Sequence, residues 1–91
     1  MKLNKNFALR QIAHIWVVLP LGEKTVDFSG MLTLNESGVM LWRVLENNGG
    51  PREMVAALTA EYDVSEKQAR EDVDAFLDKL AKAGCLDQED E

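Results

Sequence analysis

The sequence is poor in the residues that most often carry chemistry, with one cysteine, one histidine and two prolines in 91 positions. A lone Cys85 cannot close an internal disulfide, and with a lone His14 it leaves too few soft ligands for a structural zinc site. Long apolar runs are missing too. The longest, Ile15 to Leu19, falls far short of the roughly 20 residues that span a bilayer, so no membrane segment is expected. Arg10 and Gln11 interrupt the apolar residues that follow Lys2 and Lys5, which argues against a secretory signal and for a cytoplasmic chain.

Basic charge is also scarce where a nucleic acid would need it. The net charge is −6, and residues 36–91 hold fourteen acidic against six basic side chains, whereas residues 1–35 hold four basic and two acidic. Nucleic-acid affinity comes largely from basic groups that displace counterions, so an acidic helical half disfavours DNA and anionic lipid as partners.

Catalytic parts are absent in the same way. His14 has no second ligand at metal spacing, and Cys85 has no neighbouring base to activate it. Glu71 and Asp74 read as a solvated helix face rather than as an acid–base pair. Gly49-Gly50 precedes a helix but lacks the lysine of a phosphate loop. No enzyme activity, cofactor or metal is expected.

What is present is a 46% hydrophobic composition, enough for one modest core in a domain over 1–86 with an acidic tail at 87–91. Phe7 to Ile12 and His14 to Leu19 read as strands, the second apolar on both faces and so expected in the middle of a sheet. Pro20 and Gly22 end it. Glu23 to Gly30 is open between a loop and a short extra strand. Met31-Leu32-Thr33-Leu34 is a third main strand, short enough to suit an edge.

From Asn35 the apolar period becomes helical. Val39, Trp42 and Leu45, with Leu41 and Val44, mark a first helix closed by Asn47-Asn48-Gly49-Gly50. Pro51 opens a second, with Met54, Val55, Leu58 and Tyr62 as its stripe. Ser65 and Gln68 form a capping box for a third, whose stripe is Ala69, Val73, Phe76, Leu77 and Leu80 and whose stop is Gly84. Three strands followed by three helices predict an α+β fold.

Asp27 to Gly38 leading into Leu41-Trp42-Arg43-Val44-Leu45, then Tyr62-Asp63-Val64, Asp72-Val73 with Phe76-Leu77, and Gly84-Cys85-Leu86, together resemble the PqqD family from about Phe7 to Leu86. The resemblance implies a winged-helix-like domain with a three-stranded antiparallel sheet. It also implies a role: binding the leader segment of a ribosomally made precursor peptide and presenting it to a modifying enzyme, commonly a radical-SAM protein. It places the leader as an added strand on the third strand, in the groove between that strand and the third helix. Relative to the shorter founding members, this chain carries extra residues between Leu19 and Met31.

The resulting site comprises Met31, Leu32, Thr33 and Leu34 on the strand and Ala69, Arg70, Val73, Asp74 and Leu77 on the helix. An exposed edge offers backbone groups to an extended peptide, and neighbouring pockets supply selectivity. On spacing alone the helix residues read equally as plain core, with Arg70 and Asp74 as a solvated face, and the strand edge could be covered by Glu23 to Gly30. Two rival functions stay open, a winged-helix DNA-binding regulator and an assembly module that forms a homodimer through its exposed edge.

Overall fold

The computed structural model describes residues 2–5, 7–21 and 32–87. Four strands, β1 (Lys2–Leu3), β2 (Phe7–Ile12), β3 (Ile15–Pro20) and β4 (Leu32–Leu34), precede three helices, α1 (Glu36–Glu46), α2 (Pro51–Glu61) and α3 (Glu66–Lys82), and the short β5 (Leu86–Asp87) follows. Glu23 to Gly30, Met31 and residues 88–91 lie outside the described residues.

The expected three-stranded antiparallel sheet forms in the order β2-β3-β4, with the doubly apolar β3 in the middle. Leu9 opposite Val18 and Leu34 opposite Trp16 share the face that meets the helices. Val17, between Arg10 and Thr33 in the register, is buried on the other face, outside the main core. His14 does not open the second strand: it shares the two-residue turn Ala13–His14, where Ala13 takes φ +56°. That left-handed position ordinarily favours glycine.

Helix α1 begins where Asn35 Oδ1 accepts the Gly38 N–H at 2.9 Å, satisfying one of the donors that a helix start leaves open. Its end follows from Asn48 at φ +68°, with the Gly49 N–H donating to the Val44 carbonyl at 2.8 Å. Only the serine half of the expected capping box forms on α3. Ser65 Oγ accepts the Gln68 N–H at 3.1 Å, while the Gln68 side chain turns forward to Asp72. The reaching-back carboxylate occurs on α2 instead, where Glu53 accepts the Gly50 N–H at 2.8 Å.

Trp42, Met54, Ala69, Val73 and Leu80 are at most 1% exposed at the centre of the core. Each fully buried large side chain of this kind contributes about 1.5–3 kcal/mol. Tyr62, expected on the α2 stripe, caps that helix instead and is 37% exposed. At the far end Gly84, at φ +80°, reverses the chain, and the Cys85 N–H donates back to Leu80 at 2.9 Å. The reversal brings Leu86–Asp87 antiparallel to Lys2–Leu3. Asp87, assigned from sequence to the acidic tail, is therefore ladder-paired with Lys2.

Candidate functional site

Among the described residues β4 pairs only with β3, so its other side is a sheet edge. The register fixes which backbone groups that edge presents. In a two-residue turn the carbonyl before the turn accepts from the N–H three residues on. With Ile12 opposite Ile15, the Ile15 N–H therefore points toward β2. Alternation along the strand sends the N–H and C=O of Val17 and Leu19 the same way, and those of Trp16 and Val18 toward β4. Since Trp16 faces Leu34 and Val18 faces Leu32, Leu32 and Leu34 are the bonded residues of β4. The backbone N–H and C=O of Thr33 point outward, to the side of β4 on which no described strand pairs.

Directly after the edge lies a cleft of about 470 Å3, walled by Asn35, Ser37 and Gly38 on one side and by Asp72, Ala75, Phe76 and Lys79 of α3 on the other. Its floor is apolar and largely buried, with Leu41 and Leu58 at 3% exposure and Phe76 at 8%. Gly38 keeps the wall thin. A Cβ there would come within 3.2 Å of Asn35 Oδ1 and 3.3 Å of the Leu34 Cβ, tighter than ordinary contacts allow. A side chain of an added strand that pointed to the helix side of the sheet would fall toward this floor.

The α3 positions read from the sequence are spread over the core and over a flank away from this cleft. Ala69 is wholly enclosed in the core. Arg70, Val73 and Asp74 line a second cleft of about 690 Å3 on the opposite flank of α3, against Arg52, Val55 and Thr59 of α2. Leu77 is half-buried against the core. The physical reason is angular: at 100° per residue, the buried stripe 69, 73, 76 and 80 has positions 72, 75 and 79 on one flank and 70, 74 and 77 on the other. Which flank lines the cleft that follows β4 is decided by where α2 packs, a long-range contact that periodicity does not report. The spacing of Asp72, Ala75, Phe76 and Lys79 was a visible signal of a second helix face. On the strand side Leu32, Thr33 and Leu34 sit as read, and Met31 lies outside the described residues.

Cys85 is 1% exposed, and burial pushes its thiol pKa up, away from the reactive thiolate. No cluster of metal-ligating side chains occurs among the described residues. Nor is any described helix long and apolar enough to cross a membrane. The outer surface of α3 is acid-rich, exposing Glu66, Glu71, Asp72, Asp74 and Asp78 against Lys67 and Arg70 over the same stretch.

Against this geometry, the profile of the family described as Coenzyme PQQ synthesis protein D (PqqD) matches residues 16–86, which hold β3 but for Ile15, β4, all three helices and the start of β5. The chain belongs to the PqqD family. A solved structure described as "TbiB1 in Complex with the TbiA(beta) Leader Peptide" is similar to this PqqD-family chain with a TM-score of 0.79 and 28% identity, covering 100% of both chains. A second, "Lasso peptide synthetase B1 complexed with the leader peptide", has a TM-score of 0.73 and 23% identity over 92% of this chain and 93% of that one, a likeness of fold. No curated protein matches the PqqD-family chain.

Proposed function

We propose that this PqqD-family chain holds the leader segment of a ribosomally synthesised precursor peptide and presents the rest of it to a modifying enzyme of the radical-SAM class. The leader adds to the sheet alongside β4 and sends alternate side chains into the cleft beside α3. The site comprises Leu32, Thr33 and Leu34 with Asp72, Ala75, Phe76 and Lys79. The chain acts by binding and carries out no chemistry itself, in the cytoplasm.

The observation that carries this reading is the outward N–H and C=O of Thr33 next to an apolar-floored cleft. An edge without a pocket would bind strands without selection, and a pocket without an edge would not favour an extended chain. The full-length likeness to TbiB1, which is described in complex with a leader peptide, supports it. Acid along the exposed face of α3 weighs against the DNA-binding alternative.

The test is titration of synthetic leader segments of candidate precursor peptides into isotopically labelled protein, following backbone amide shifts. Saturable shifts at Thr33, Gly38 and residues 72–79 are expected. Shifts confined to the Arg52–Arg70 cleft or to the β2–β3 turn would overturn the assignment of the site. Tight, sequence-dependent binding of duplex DNA at physiological salt would restore the regulator.

A further inference from the structure

The cleft beside α3 carries opposite charges at its two ends. Asp72 and Lys79, both exposed, lie seven positions apart on the same flank of α3, which separates them by about 10 Å along the helix axis. At that distance they cannot pair with each other. Asp72 is held in place by Gln68, whose Nε2 donates to Oδ1 at 2.9 Å. Lys79 makes no ion pair among the described residues, whereas its neighbour Lys82 is engaged by Asp78 at 3.0 Å. Between the two charges the cleft offers Ala75, which leaves space, and Phe76, which forms the floor.

We propose that Asp72 and Lys79 select the charge pattern of the bound segment: an apolar anchor over Phe76, with a basic side chain toward Asp72 and an acidic one toward Lys79. An extended chain rises about 3.3 Å per residue and turns alternate side chains to one face, so the two peptide charges stand about four positions apart with the apolar anchor midway. The proposal rests on the cleft being a peptide site and adds to it the class of peptide that is taken. The gain from each charge is that of a half-exposed ion pair, about two- to fivefold in affinity, and it shrinks as salt is raised. The charges thus discriminate between peptides whose backbones and anchors bind alike.

The test uses short random peptides displayed on phage, selected against the intact chain and against Asp72→Asn and Lys79→Gln. Neither exposed substitution removes core contacts, and thermal melts of both variants check that they fold. The wild type is expected to enrich an apolar residue bracketed by Lys or Arg on one side and Asp or Glu on the other. Asp72→Asn should lose the basic preference and keep the acidic one, and Lys79→Gln should do the reverse. Enriched peptides that shift the Thr33 and Gly38 amides but show no charge bracket, or the same bracket in both variants, would overturn this proposal and leave the peptide site standing. Failure to enrich any peptide, or enrichment of peptides that shift only the α2 cleft, would remove the peptide site and this proposal with it.

Discussion

The two edges of the sheet differ in a way that buried area and strand length do not predict. β2 is the longer, with six residues against three in β4, and by the alternation that leaves Thr33 outward it also presents Leu9 and Gln11. It has more backbone groups to give, yet it runs out to a hairpin tip where Ile12 and Ile15 are each 54% exposed. β4 gives fewer hydrogen bonds and ends against a walled, apolar-floored cleft. Backbone pairing is indifferent to sequence, so under the proposed function the edge beside a side-chain pocket is the one that can select a peptide.

The largest expected difference between the two edges is in stability. The cleft is floored by core, so it cannot be cut away without cutting the fold. Phe76→Ala should cost about 3–5 kcal/mol in urea unfolding, a large share of the stability of so small a domain. Ile12→Thr and Ile15→Thr, on the exposed tip, should stay within about 0.5 kcal/mol of the wild type. Equal losses at both places would mean that the tip is buried in solution, and the contrast would fall.

Peptide affinity should separate the edges next. Thr33→Pro removes the outward donor of β4 and leaves the bonds of Leu32 and Leu34 to β3 in place. It should weaken leader binding about tenfold, equivalent to about 1.4 kcal/mol, by calorimetry. Gln11→Pro removes the equivalent donor from β2 and should leave affinity within about twofold, because no peptide lies there. A larger effect from Gln11→Pro than from Thr33→Pro would exchange the roles of the two edges.

Smaller effects sharpen the separation. Ala13→Gly relieves the left-handed position at the β2 tip and should stabilise the chain by about 1 kcal/mol, seen as a higher melting temperature with unchanged leader affinity. Glu53, remote from both edges, shows the smallest effect. The hydrogen bond from the Gly50 N–H, followed by that from its own N–H, holds its carboxyl below the usual range. Its contribution to stability is therefore present above the unfolded-state pKa and lost as the pH falls through the folded one. The wild type should have a higher urea midpoint than Glu53→Gln at neutral pH, and the gap should close in acid.

The elements that carry their own local signals were legible in the sequence. Asn35, Pro51 and Ser65 mark helix starts, Gly84 marks a stop, and the two apolar faces of β3 mark a central strand. The capping residues act within one turn, which is why they can be read. β4 was legible for the same reason, as a short apolar run after turn residues. Which clefts the two flanks of α3 line was not. Positions 72, 75 and 79 differ from 70, 74 and 77 only in which flank of one stripe they occupy, and the packing of α2 on α3 decides between them. The pairing of Lys2–Leu3 with Leu86–Asp87 was hidden for a related reason, since two residues at each end show no period of their own.

That last pairing sets the mechanical and topological character of the domain. Lys2 and Asp87 are ladder partners, so the ends of the described fold lie roughly 5 Å apart. Such a unit can be spliced into a surface loop of another protein without forcing its attachment points open. Its original ends can be joined by a short bridge and new ones cut at the exposed Asn47–Asn48 turn, a circular permutation that leaves β4 and its cleft intact. Tension applied through the ends would peel this two-residue ladder first, so the half with β4 and its cleft would keep its shape while the clasp opened.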